Sequence, residues 1–365
     1  MHVLVEGSGG RTGWPQPGCR CASCLRCQAD GKVRKRSTIV VDGVLRLGVD
    51  GTERLRGAEA EELGGGYQVR AIAGGWDVTS ADGERLLYAA GPGTVPDPPE
   101  GAAPYDVAFL DMLGDPAQLG RLRARGLVRA DTITLVASAD HRVPAAGELE
   151  RRGRFWRVGV PGDGDAITTD RSAHGFSDWG AGVRRAPWRV LVMGGARSGK
   201  SERAELRLAG EPDVTYVATG SRPDGTGDPD WAARVAAHRA RRPEWWRTAE
   251  TTDLAGVLAS VRGAVLIDGI GTWLAAVLDE CDAWGSWGGA GGKVADRLAE
   301  VVAAWRQTGA YVVAVSDEAG MGVVPATSAG RLFRDELGRL NQALAAESEE
   351  TELVIAGRVV PLAAW

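Results

Sequence analysis

Lysine is nearly absent. Of 43 basic residues only Lys32, Lys35, Lys200 and Lys293 are lysines, so in an arginine-writing chain each survivor is a candidate for a chemical need. Histidine is equally scarce, with His2, His141, His174 and His238 alone, which excludes a site built on a large imidazole cluster. There is no excess of positive charge: 43 basic against 48 acidic residues leaves a net −5. That balance excludes an overall basic surface for nucleic acid or anionic lipid. No apolar run reaches the roughly 20 residues of a membrane span. The first residues, Met1-His2-Val3-Leu4-Val5-Glu6-Gly7, lack the basic start and apolar stretch of a signal peptide, so the expected location is the cytoplasm. Gly 52 and Pro 17 are too few for a disordered or collagen-like chain. What is present is ordinary globular composition, 44% hydrophobic and 25% charged, over 365 residues. At roughly 150 residues per domain, that length predicts two domains.

The two halves differ in rhythm. Residues 1–171 carry four of the five cysteines, Cys19, Cys21, Cys24 and Cys27, and short strands such as Ile39-Val40-Val41, Val44–Leu47 and Val107–Leu110 broken by Gly and Pro turns. Residues 172–187, polar and Gly-containing, read as a linker. From Trp188 onward, apolar strands at Val190–Met193, Val214–Val217, Ala264–Ile267, Tyr311–Val315 and Leu353–Ala356 alternate with helical patterns. One such pattern is Val294, Leu298, Val301, Val302 and Trp305. This predicts an α/β domain over 188–365 with a mostly parallel sheet covered on both faces. The Gly-rich stretch Trp284–Gly292 reads as a loop.

Between the first of these strands and a helix from about Lys200 to Ala209 lies Gly194-Gly195-Ala196-Arg197-Ser198-Gly199-Lys200-Ser201. It fits the phosphate-loop pattern in its required context. Backbone N–H groups of such a loop close around phosphate oxygens and the helix N-terminus adds its dipole. Lys200 is expected to reach the β- and γ-phosphates, and the Ser201 hydroxyl to ligate Mg²⁺. Asp268, ending the apolar run Val265-Leu266-Ile267, stands where a second Mg²⁺-side carboxylate is expected, although Asp268-Gly269 is also a common turn opener. The D-x-x-G match Asp268-Gly269-Ile270-Gly271 does not make a switch GTPase, because no lysine follows an asparagine to form the base-reading N-K-x-D.

His238 falls within Trp231–Pro243, a predicted helix. Arg234 shares its face at i,i+4 spacing, and Arg239, Arg241 and Arg242 follow closely. Positive neighbours disfavour imidazolium and attract a triphosphate, a setting for nucleophilic attack on phosphorus. A merely solvated basic helix face would share these features.

Residues 189–360 resemble the bifunctional adenosylcobinamide kinase/adenosylcobinamide-phosphate guanylyltransferase family. The resemblance runs through the phosphate loop, Tyr216-Val217-Ala218-Thr219, Arg234-Val235-Ala236-Ala237-His238, Arg242-Pro243 and Trp246-Arg247-Thr248-Ala249-Glu250. It continues through Leu266-Ile267-Asp268, Gly320-Met321-Gly322-Val323-Val324-Pro325, Arg331-Leu332-Phe333-Arg334-Asp335 and Gly338-Arg339-Leu340-Asn341-Gln342. It implies a P-loop fold and an enzyme of cobalamin biosynthesis. ATP or GTP would phosphorylate adenosylcobinamide; GTP would then guanylylate His238, and GMP would pass to adenosylcobinamide phosphate, giving adenosylcobinamide-GDP. The implied nucleotide contacts are Gly194, Gly195, Ala196, Arg197, Ser198, Gly199, Lys200, Ser201, Ala218, Thr219, Gly220, Arg239, Ala240, Arg241, Arg242, Glu250 and Asp268. A homo-oligomer, a trimer, is implied as well. The chain departs from the family pattern at Asp317 (usually Asn), Gly269 (Cys), Gly271 (Thr), Ala276 (Asn) and in the segment Asp228-Pro229-Asp230-Trp231. The competing class is a nucleotide-binding regulatory or scaffold protein that has lost transfer chemistry.

In the first half, Cys19, Cys21, Cys24 and Cys27 offer four thiolates, enough for a closed structural zinc site. Gly7-Ser8-Gly9-Gly10, Gly13-Trp14-Pro15 and Gly18–Cys24, with Asp140-His141-Arg142, resemble a metallo-β-lactamase-fold branch holding such a zinc. His141 therefore competes with Cys27 as fourth ligand. The fold's H-x-H-x-D-H signature is missing, which predicts a non-catalytic binding or assembly module.

Overall fold

The computed structural model describes residues 1–55, 66–91, 101–170, 187–220, 233, 236, 239–284 and 287–362. The stretch expected as a linker, 172–187, lies outside the described residues except for position 187, and so do Arg234 and His238. The chain forms two compact units. The first comprises Met1–Arg184 with Ala209–Pro212, the second Arg185–Leu208 and Asp213–Trp365. Among the described residues no helix is long and apolar enough to cross a membrane.

The first unit holds, in chain order, β1 (His2–Gly7), α1 (Ala22–Ala29), β2 (Thr38–Val41), β3 (Leu45–Gly48), β4 (Gly51–Arg54), β5 (Gln68–Ile72), β6 (Gly75–Thr79) and β7 (Arg85–Ala89). Then follow β8 (Val107–Leu110), α2 (Ala117–Ala124), β9 (Ile133–Val136), α3 (Ala146–Trp156) and β10 (Ala166–Thr168). These make two five-stranded sheets, ordered β10-β1-β2-β3-β4 and β5-β6-β7-β8-β9. The first is antiparallel throughout; the second turns parallel from β7 to β9. One core joins them, with Val3, Val5, Ile39, Val41 and Leu47 from one sheet and Val78, Leu86, Tyr88, Phe109 and Leu135 from the other. Strand alternation is what delivers these side chains to a single shared layer.

The second unit holds β11 (Trp188–Gly194), α4 (Lys200–Leu208), β12 (Val214–Ala218), β13 (Arg247–Glu250), α5 (Leu254–Ser260), β14 (Ala264–Asp268), α6 (Ile270–Glu280), α7 (Trp287–Gln307), β15 (Tyr311–Asp317), α8 (Ser328–Ala346), β16 (Glu350–Ile355) and β17 (Arg358–Leu362). Its seven-stranded sheet runs β13-β12-β14-β15-β11-β16-β17, parallel except for the final β16-β17 pair. Both faces are buried, as the near-continuous apolar strands require. Leu191, Met193, Val265, Ile267, Val312 and Ala314 face a cluster with Leu254, Trp273, Val301, Trp305 and Leu340. Val190, Val192, Leu266, Val313 and Val315 face Ala204, Leu208 and Trp246.

One expectation fails here. The Gly-rich stretch read as a loop becomes helical at Trp287, where α7 begins. The buried stripe Val294, Leu298, Val301 and Trp305 anchors that helix, and tertiary packing carries it back through weak helix formers.

The sheet register aligns the strand ends that matter. Gly194 lies opposite Asp317, Ala218 opposite both Asp268 and Glu250, and Asp268 opposite Val315. All of these stand at the carboxyl edge of the parallel strands, the edge where α/β sheets bind ligands.

Candidate active site

The phosphate loop leaves β11 and enters α4 through a backbone that only certain residues tolerate. Gly199 has φ +96°, in the region that favours glycine, and Arg197 sits at φ +57°. The Ser198 N–H donates to the Gly195 carbonyl at 3.3 Å and the Gly357 N–H to the Ser198 carbonyl at 2.8 Å. Gly195, Ala196 and Arg197 are exposed, whereas Ser198 is buried. Lys200 extends its ammonium to the Gly195 carbonyl at 3.1 Å and to Asp317 Oδ1 at 2.8 Å.

Ser201 and Asp268, remote in sequence, meet at this edge. The Ser201 hydroxyl donates to Asp268 Oδ1 at 3.2 Å, and the Tyr216 hydroxyl donates to Asp268 Oδ2 at 2.7 Å. Burial, together with the adjacent Asp268 carboxylate, holds the Tyr216 phenol far above its ordinary pKa, so it stays a donor. Two hard oxygens side by side, one of them from a half-buried carboxylate, suit a Mg²⁺ ion better than a soft metal. Thr219 is buried, and its hydroxyl donates to the Gly269 carbonyl at 2.7 Å and shares a 2.7 Å bond with Thr272. These bonds fix the backbone just beyond Asp268.

The arginines expected around the nucleotide are gathered beside the loop, each with a partner. Residues 239–241 are helical. Arg239 pairs with Glu250 at 3.1 Å, and Arg241 with Glu205 of α4 at 2.8 Å, which raises the guanidinium pKa further. The Arg242 guanidinium lies 3.2 Å from the centre of the Tyr216 ring. Ala240 is exposed between them. Arg239, Arg242, Pro243, Glu244, Trp246, Thr248 and Glu250 line a cavity of about 460 Å³. The sequence did not single out Tyr216, Glu205, Trp246 or Thr248 as site residues. Their only signal was membership in the blocks carrying the family resemblance, and Glu205 lacked even that.

In the first unit, Cys19, Cys21, Cys24 and His141 bring one ligand atom each to within 4.8 Å of one another. Cys21 caps α1, its sulfur accepting the Cys24 N–H at 3.5 Å, and the Gln16 N–H donates to the Cys24 sulfur at 3.4 Å. His141 Nδ1 lies 3.3 Å from Cys19 Sγ and 3.6 Å from Cys24 Sγ. The Cys24 N–H bond, opposed by burial, leaves the Cys21 thiol lowered to about 7; burial raises Cys24 to about 11. Cys27 is not in the cluster. A turn further along α1, its buried thiol donates to the Lys32 carbonyl at 3.1 Å, and it is His141 that stands beside the other three thiols. Three thiols and an imidazole nitrogen at these spacings fit tetrahedral zinc. Next to His141, Arg142 forms a two-bond pair with Asp111 (2.9 Å each) and reaches Asp140 at 2.8 Å.

Residues 190–362 match the family model described as cobinamide kinase / cobinamide phosphate guanyltransferase. The chain is 37% identical over 183 residues to the bifunctional adenosylcobalamin biosynthesis protein CobU of Salmonella typhimurium strain LT2, covering 46% of this chain and 96% of that protein. To CobU of Escherichia coli strain K12 it is 35% identical, covering 46% and 96%. To the protein CobP of Pseudomonas aeruginosa strain PAO1, described in the same words, it is 39% identical, covering 48% and 96%.

Proposed function

Because the chain belongs, through its second unit, to the cobinamide kinase / cobinamide phosphate guanyltransferase family, we propose a division of that work among its residues. The protein is an enzyme of adenosylcobalamin biosynthesis, a kinase and nucleotidyltransferase that binds nucleotides. The observation that carries the residue-level reading is the meeting of Lys200, Ser201 and Asp268 at one sheet edge, beside the Arg239–Glu250 cavity.

In the kinase step the hydroxyl oxygen of adenosylcobinamide attacks the γ-phosphorus of ATP or GTP, and the bond to the bridging oxygen breaks. Lys200 neutralises the charge that gathers on the transferring phosphoryl group, and the loop N–H groups hold its neighbours. Ser201 and Asp268 would hold Mg²⁺, which supplies further charge neutralisation to the phosphates. In the second step a ring nitrogen of His238 attacks the α-phosphorus of GTP; the N–P bond forms as diphosphate leaves. A phosphate oxygen of adenosylcobinamide phosphate then takes the GMP and frees the imidazole. Arg239, Arg242 and Glu250 belong to the nucleotide side of this site, with Ala218, Thr219 and Gly220 at the adjoining strand end.

His238→Ala separates the two reactions. Guanylyl transfer is expected to vanish, and with it the acid-labile label from α-³²P-GTP, while phosphorylation of adenosylcobinamide continues at least in part. Guanylyl transfer near the wild-type rate in this variant would show that another group is the nucleophile.

The first unit fits a non-catalytic module. Cys19, Cys21, Cys24 and His141 would hold zinc as a structural clamp. Asp111 and Asp140 are both engaged by Arg142, whose guanidinium already supplies the positive charge that a metal would bring to that carboxylate pair. Clustered thiols suit a reducing compartment, the cytoplasm.

A further inference from the structure

Asp317 ends β15 directly opposite Gly194, the first residue of the phosphate loop. Its backbone is pinned: its carbonyl accepts from Asn341 Nδ2 at 3.1 Å, and Ser316 beside it donates to Asn341 Oδ1 at 2.6 Å. Its carboxylate has two neighbours of different kinds. Oδ1 takes the Lys200 ammonium at 2.8 Å, and Oδ2 lies 2.7 Å from the point where a Cβ on Gly271 would stand. The Phe333 ring lies 3.6 Å from that same point. Any side chain at 271 would crowd this carboxylate oxygen, so the glycine leaves the room in which the Asp317 side chain stands. The loop lysine therefore already faces an anion provided by the chain itself.

We propose that Asp317 is a resident counter-ion for Lys200. A nucleotide phosphate must displace it, so nucleotide binding is an exchange of one anion for another and Asp317 sets the affinity for the triphosphate. This rests on the reading of Gly194–Ser201 as the nucleotide loop. Asp317 is a positioning residue, acting through Lys200. Asparagine keeps the shape and removes the charge.

The test is equilibrium binding of GTP and of GMP to the full chain, in wild type, Asp317→Asn, Lys200→Ala and the double variant. Asp317→Asn is expected to tighten GTP by roughly three- to fivefold, the upper range for a partly exposed ion pair. GMP, which does not extend to Lys200, is expected to shift by less than about twofold, and the tightening should disappear when Lys200 is alanine. If Lys200→Ala binds too weakly to titrate, the GMP comparison decides. Weaker GTP binding in Asp317→Asn, or equal tightening of GTP and GMP, would overturn the role of Asp317. Failure of the wild-type chain to bind GTP would instead overturn the nucleotide-loop reading, and the counter-ion with it.

Discussion

Lys200 carries the sharpest single-residue expectation. Its charge is the one the reading assigns to the transferring phosphoryl group, and loss of such preorganised electrostatics costs orders of magnitude in rate. Lys200→Ala is expected to lower kinase turnover by at least about a hundredfold and guanylyl transfer with it. Near-normal kinase turnover would remove the loop from the mechanism. The identity of this lysine was legible because the chain spends so few of them, and because the strand–loop–helix context was visible in Val190–Met193 and the residues after it. Its partner was not legible. Asp317 stood out only as a departure from a pattern, since nothing in linear spacing says that β15 lies beside β11 with Asp317 opposite Gly194. The fourth member of the thiol cluster was half legible in the same sense. Spacing offered Cys27 and the resemblance offered His141; the axial rise of α1 carries Cys27 one turn away from Cys24, and the cluster gathers His141 instead.

At the scale of elements, α4 is held to the sheet by charge as well as by apolar contact. Glu352 on β16 accepts from Arg203 Nε and Nη2 and from Arg207 Nη1, all at 2.9 Å, and all three side chains are buried. Glu350 adds a second carboxylate to Arg207. Removing the shared carboxylate takes three bonds from two buried guanidinium groups, so Glu352→Ala is expected to destabilise the second unit by about 3–5 kcal/mol, read from urea unfolding. A loss below about 1 kcal/mol would mean that water or Glu350 replaces it. The central strands were readable because burial on both faces demands unbroken apolar runs, as in Val265-Leu266-Ile267. Strand β13 was not: Arg247-Thr248-Ala249-Glu250 sits at the sheet edge, mostly exposed, and its polar residues carry no alternation to read. The same blindness applied to the start of α7, where glycine content argued for a loop and packing further along the helix overruled it.

For the molecule as a whole, the two units make separable demands. If Cys19, Cys21, Cys24 and His141 hold zinc, Cys24→Ser is expected to reduce bound metal from about one per chain to none and to lower the melting temperature of the first unit. GTP-dependent labelling in the second unit should persist. Labelling that disappears along with the metal would tie the thiol cluster to transfer chemistry. The sheet order of the second unit has a consequence for synthesis. Strand β11, which carries the phosphate loop, pairs on one side with β15 and on the other with β16. A ribosome therefore delivers Val190–Val192 long before either neighbour exists, and the loop's strand has no partner until translation has passed Asp317 and lacks its second until Ile355. Most of the first unit can collapse during that interval, while the nascent phosphate-loop strand waits as exposed apolar chain. The binding site is thus among the last features of this protein to form, and the segment most in need of a chaperone while it waits is the one that begins its chemistry.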